Sequence, residues 1–203
     1  MEQYEKISAA IGKACFWWIE IERLVRHSTL NLARSLSRAF DDDRPHRILD
    51  LAVGTLDMRQ KIVVAKAYAH LIPGPHPEDL YDRVEALFNY IDNEVRPERN
   101  RYVHDQWGFI DDAAFRLNHS LRIVRPQARK RQLRLHTKRE YQQIDLINEF
   151  VKNLQYVIDD LNELNNHIDW LISHIDQPSK SLRQFPPSWK SLTHRDWREP
   201  DKQ

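Results

Sequence analysis

Arg99, Asn100 and His104 fall within the run Arg99-Asn100-Arg101-Tyr102-Val103-His104. An arginine carries a permanent charge and a planar fork of donors that matches phosphate. A histidine moves a proton near neutral pH. A phosphate clamp and a proton shuttle are the minimum equipment for cutting RNA without a metal. The substrate's own 2′-hydroxyl is the nucleophile. A base takes its proton, an acid protonates the leaving 5′-oxygen, and a cation holds the phosphoryl oxygens as charge accumulates. His104 is the expected proton-transfer group and Arg99 the expected clamp, with Asn100 orienting His104 or donating to phosphate. On a helix five residues turn through ~500°, so Arg99 and His104 are offset within one and a half turns. The bland alternative pairs Arg99 with Glu98, Asp105 or a carboxylate on another helix, and leaves His104 on the surface like most of the ten histidines.

Helices must position this run. Residues 4–40 read as one long helix, with Ile7, Ile11, Ala14, Trp18, Ile21 and Val25 alternating four and three apart in a coiled-coil-like seam. Phe16, Trp17 and Leu24 widen its apolar surface. Asp41 to Arg47, punctuated by Pro45, breaks it. Gly54-Thr55 is read as a turn and N-cap for a second helix over 56–71, and Ile72 to Pro77 as a loop. A third helix runs from about Glu78 to Arg96, with Leu80, Val84, Leu87, Phe88 and Ile91 on one face. Pro97 then opens the motif helix, Pro97 to Gln106.

From 110 to 136 apolar residues recur every second position, which predicts two or three short strands, a β-hairpin inserted into a helical protein. Thr137-Lys138-Arg139-Glu140 reads as a capping box opening the longest helix, whose heptad rhythm lasts to Asp176. The missing beat is Asn165, either a register-setting polar residue in a dimer seam or a residue facing solvent. The expected fold is mainly α, an up-and-down helical bundle over 1–176 with a long C-terminal helix and the inserted hairpin. The 177–203 tail holds Phe185, Trp189 and Trp197 among prolines; it is mobile, or those aromatics pin it to the body or to a partner. The heptad excess suggests a homodimer.

The Arg-Asn-(three residues)-His arrangement resembles the signature of the HEPN superfamily. These are helical domains, many of them metal-independent ribonucleases of toxin, antiviral and RNA-processing systems. Arg99, Asn100 and His104 fill the three places of that signature, after a helical hairpin-like region and before a long C-terminal helix. Asp105-Gln106-Trp107-Gly108 also resembles members in which Trp-Gly ends the motif helix. The resemblance implies a cleft between two paired motifs, which supplies two histidines and two arginines, and a 2′,3′-cyclic phosphate product. Gln106 stands where some members carry a tyrosine modified by a partner enzyme, which puts an antitoxin of that modifying kind in doubt.

From Ala113 to Arg139 lie Arg116, Arg122, Arg125, Arg129, Lys130, Arg131, Arg134, Lys138 and Arg139, without one carboxylate. The whole chain has a net charge of only +1. Such a patch attracts phosphate backbones through counterion release. With Arg101 beside the motif, these cations are expected to guide RNA; the alternative is a solvated strand pair matched with acids such as Asp41-Asp42-Asp43 or Asp111-Asp112.

Composition bounds the rest. Hydrophobic residues at 41% and charged residues at 30% fit a soluble globular chain. Four glycines leave no P-loop and no dinucleotide fingerprint. A single cysteine, Cys15, excludes an internal disulfide and a cysteine-based zinc site, and is read as a buried thiol. Asp41-Asp42-Asp43, and His70 with His76, lack a convincing ligand set, so neither metal nor cofactor is expected. Glu20 and Glu22 lie in an apolar stretch, and Glu20 either faces the motif cleft or lies on the surface. Met1 to Lys6 is polar and no apolar run is long enough to span a bilayer, so the expectation is cytoplasmic. Three readings follow: an endoribonuclease with RNA, a second copy and an antitoxin or regulatory protein as partners; a non-catalytic RNA- or nucleotide-binding module; and a helical dimerisation module.

Overall fold

The seam read in the first helix is the buried edge of α1 (Glu2–Leu36), where Ile7, Ala14, Trp18, Ile21 and Val25 are buried. The computed structural model describes residues 2–36, 43–71, 78–110, 113–124, 132–141 and 144–174. After α1 come α2 (Asp43–Thr55), α3 (Met58–Leu71), α4 (Glu78–Tyr90), a π-helical turn (Ile91–Val95) and α5 (Arg96–His104). Strands β1 (Gln106–Ile110), β2 (Ala113–Val124) and β3 (Gln132–Tyr141) follow, and α6 (Ile144–His174) is the long C-terminal helix. The protein is mainly α, as its periodicity predicts. The 177–203 tail, Asp41, Asp42, His76, Arg125, Arg129, Lys130 and Arg131 lie outside the described residues.

Backbone contacts divide the chain into two compact units, Met1–Phe16 with Glu98–Asn153 and Trp17–Pro97 with Leu154–Gln203. The second unit is a helical bundle. His70 packs on Tyr81, Lys66 Nζ donates to Asn89 Oδ1 and Arg59 pairs with Asp92, so α3 and α4 run antiparallel. Apolar stripes fill it: Ile62 and Ala65 from α3, Leu80, Val84 and Phe88 from α4, and Leu154, Leu161 and Ile168 from α6 are all buried.

Asn165 belongs to this bundle rather than to a dimer seam or to solvent. It is buried, its Nδ2 donates to the Leu24 carbonyl at 3.3 Å, and its Oδ1 accepts from the Ser28 hydroxyl at 2.8 Å. Four residues further on, Asn31 donates to Asp169. The two contacts advance together, so α1 and α6 run parallel in this unit. The polar residue in the heptad sets a register between two helices of one chain.

Three boundaries differ from the sequence reading. Asp43–Thr55 is a helix, although Asp41 to Arg47 reads as a break and Gly54-Thr55 as a turn. The N-cap of α3 is Asp57, two residues beyond Thr55. Asp57 Oδ1 accepts from the Gln60 N–H at 2.8 Å, and Gln60 Oε1 accepts from the Asp57 N–H at 2.9 Å, a reciprocal capping box. The predicted capping box at 137–140 caps nothing: Thr137, Lys138, Arg139 and Glu140 pair with His119, Asn118, Leu117 and Arg116 inside β3. Pairing with β2 holds them in extended conformation, and α6 starts later, at Ile144.

The first unit is built on a three-stranded antiparallel sheet in the order β1-β2-β3. Trp107-Gly108 lies in β1 rather than ending the motif helix, which stops at His104. Gly108 pairs with Phe115, and the Phe115 ring lies over it. A Cβ there would run into Phe115 Cζ, so any larger residue would have to displace the ring.

Candidate functional site

Pro97 is the second residue of α5 and lies within a helix that runs on from the preceding turn. It has no N–H to offer the carbonyls one turn back, and its ring crowds them. The turn before it is widened accordingly: the Arg96 N–H bonds to the Ile91 carbonyl, five residues back. Arg96 Nε donates to Asp92 Oδ1 at 2.7 Å across the same turn. The motif helix therefore continues directly from α4 through a π-helical turn rather than starting afresh.

Steps of ~100° per residue divide α5 into two edges. Glu98 and Tyr102 share one edge. Asn100 and His104 share the opposite one, and Arg99 lies between the two, ~60° from Tyr102 and ~100° from Asn100. Tyr102 is buried, Arg99 and Asn100 are half-buried, and His104 is exposed. Arg99 Nη1 donates to Asn100 Oδ1 at 3.1 Å. Glu98, the sequence's alternative partner for Arg99, accepts from Arg101 Nη1 at 3.0 Å and pairs with Arg116. Arg99 and His104 lie ~140° apart around the helix axis.

The buried edge is aromatic and charged. Tyr102 stacks with Trp107 at 6.2 Å and packs on Phe150 at 5.0 Å between ring centres. The Trp107 indole N–H donates to the Tyr102 carbonyl at 3.0 Å, tying β1 back to the helix it follows. Arg116 comes from β2. Its guanidinium carbon lies 4.8 Å from the centre of the Tyr102 ring, and its Nη1 lies 3.8 Å from Glu98 Oε1. Burial, and then the nearby Glu98 carboxylate, push the Tyr102 phenol up to about 12. Tyr102 thus stays protonated at neutral pH and packs the helix rather than titrating.

Arg116 corrects one expectation. Composition places it with the RNA-guiding cations, but it is only 4% exposed and engages Tyr102 and Glu98. Arg101 is exposed and held by Glu98. Arg122 and Arg134 are register partners across β2 and β3. Glu98, Trp107 and Gly108 contribute to the site in ways the sequence reading did not assign. The four-residue spacing of Glu98 and Tyr102, one helical edge, is the signal that would have found the first.

The weaker candidates have other roles. Glu20 takes two hydrogen bonds from Arg23, which hold its carboxylate below the usual range. Glu22 accepts from the Trp18 indole at 2.7 Å. Cys15 is half-buried, not fully enclosed as its apolar neighbours predict. Among the described residues no group of three histidine, cysteine or acidic side chains is placed to hold a metal ion, and no helix is long and apolar enough to cross a membrane. No family model, no curated protein and no solved structure matches the chain.

Proposed function

We propose that the chain is a metal-independent endoribonuclease of the HEPN type, acting in the cytoplasm in a toxin or antiviral defence setting. The placement of Asn100 and His104 on the edge of α5 opposite Glu98 and Tyr102, with Arg99 between the edges and hydrogen-bonded to Asn100, supports this reading. Asn100 takes one N–H of Arg99 and so fixes part of the guanidinium, the group assigned to the phosphate. His104, exposed at the end of the same helix, exchanges protons with substrate.

One motif supplies a single histidine, whereas cleavage needs a base and an acid at once. A symmetric pair of copies solves this. The two copies bring two histidines and two arginines to the scissile phosphate, one histidine acting as base toward the 2′-hydroxyl and the other as acid toward the 5′-oxygen. Developing charge on the phosphoryl oxygens is met by the two guanidinium groups. The products are a 2′,3′-cyclic phosphate and a 5′-hydroxyl. Arg122 and Arg134, register partners without an acid between them in sequence, support a path for the RNA backbone. A free endoribonuclease endangers its own cell, which calls for a restraining partner protein.

The test incubates purified protein with single-stranded RNA in EDTA, beside Arg99→Ala and His104→Ala. Wild type should cut, both variants should lose at least 100-fold in rate (about the scale of one acid–base or oxyanion contribution), and DNA of the same sequence should survive. Equal cleavage by all three proteins would sink the assignment, and binding without cleavage would leave only the binding-module reading.

A further inference from the structure

Building on that reading of α5, we infer that Arg116 is a positioning residue: its buried guanidinium, held between the Tyr102 ring and the Glu98 carboxylate, sets the rotation of α5 about its own axis and so the directions of Arg99, Asn100 and His104. Burying a guanidinium is costly, and a well-packed apolar side chain of similar volume would serve stability as well or better. What an apolar side chain does not supply is a two-point grip. Arg116 touches Tyr102 through its face and Glu98 through its edge, residues one turn apart on the same side of the helix. A planar guanidinium stacks and pairs at once; an ammonium does not.

The grip comes from the sheet. Arg116 pairs in register with Trp107 on β1, and the Trp107 indole holds the Tyr102 carbonyl. The helix is thus fixed at Glu98 and at Tyr102 by the same pair of strands. Turning α5 by one residue would carry both anchors ~100° away. It would also swing Arg99 and the opposite edge, where Asn100 and His104 lie. Misplacement of reacting groups by about 1 Å costs on the order of 100-fold in rate, so a clamp on the far edge controls chemistry it never touches.

The test uses the full chain and the substitutions Arg116→Met, Arg116→Lys and Glu98→Gln. Amide exchange across 98–104 and the ring NMR signal of His104, assigned with His104→Gln, are read beside kcat and KM on single-stranded RNA. Arg116→Met and Glu98→Gln should both speed exchange in α5 and move the His104 signal while exchange in α3 and α4 stays as it was. Their kcat should fall roughly 10- to 100-fold with KM nearly constant, the split expected when alignment rather than binding is lost. Arg116→Lys should restore only part of this. Unchanged α5 exchange and an unmoved His104 signal in Glu98→Gln would overturn the proposal, and that variant alone decides if Arg116→Met does not fold. A wild type that cuts no RNA, with the α5 changes present, sinks the ribonuclease reading and not the clamp. A wild type that cuts, with an Arg116→Met protein that cuts equally fast, sinks the clamp and not the ribonuclease.

Discussion

The guanidinium carbon of Arg116 lies 4.8 Å from the centre of the Tyr102 ring, and this stack joins the middle strand of the sheet to the helix that carries Arg99 and His104. Tyr102 is the hinge of the arrangement, since Trp107, Phe150 and Glu98 meet it from other directions.

Its phenol reports on that enclosure. Burial and Glu98 raise it from 10.0 to about 12. A pKa raised in the folded state gives a stabilising contribution that is whole below pH 10 and is lost as pH rises through 12. The tyrosinate absorbance of wild type minus that of Tyr102→Phe should therefore show one step near pH 12, and alkaline unfolding should begin later in Tyr102→Phe. A difference step at the ordinary tyrosine value would mean that Tyr102 is open to water.

Gly108 is a second point of close approach. Gly108→Ala drives a methyl group into the Phe115 ring, and overpacking of this kind costs about 1–3 kcal/mol. Urea unfolding should show that loss. Phe115→Leu shortens the obstacle, so the double substitution should lose less than the sum of its parts. Full additivity would mean that the ring does not lie over the glycine.

The buried amide of Asn165 makes a parallel case in the helical bundle. Asn165→Ala removes an acceptor from the Ser28 hydroxyl, which keeps the Leu24 carbonyl, and a donor to that same carbonyl, a change costing about 1–3 kcal/mol. Ser28→Ala combined with it should be less damaging than the two separate losses added together. Calorimetry of the four proteins reads the coupling, and a coupling of zero would place Asn165 outside the α1–α6 contact.

The helices were legible because burial repeats with the helical period: Leu80, Val84 and Phe88, or Leu154, Ile158 and Leu161, announce their faces by spacing alone. Alternation announced the strands. Failures arose where a local signal competed with a distant one. Thr137 and Glu140 have the right chemistry to cap a helix, yet pairing with residues 116–119 supplies hydrogen bonds along a whole strand, and the ladder wins. Asn165 kept a heptad position, and nothing in its neighbourhood says whether the facing helix belongs to the same chain. At the motif, type and spacing suggested what Arg99, Asn100 and His104 can do. Depth was invisible: Arg116 is one of nine cations in its stretch of sequence, and only the register that seats it beside Tyr102 separates it from the rest.

Glu163, in the bundle, offers a test of burial against charge. Its Oε1 is buried with no hydrogen-bond partner, and desolvation raises its carboxyl above 4.5 against the opposing pull of the Arg83 guanidinium. A carboxyl raised in the fold favours folding when protonated, and this contribution fades as pH climbs through the folded value. At neutral pH the ionised group is therefore a net cost. Glu163→Gln keeps the shape and removes the charge, so it should raise Tm at pH 7, and the gain should shrink to nothing at and below about pH 4, where the wild-type carboxyl is neutral in both states. A lower Tm for the variant at pH 7 would mean that attraction to Arg83 outweighs the burial of the carboxylate.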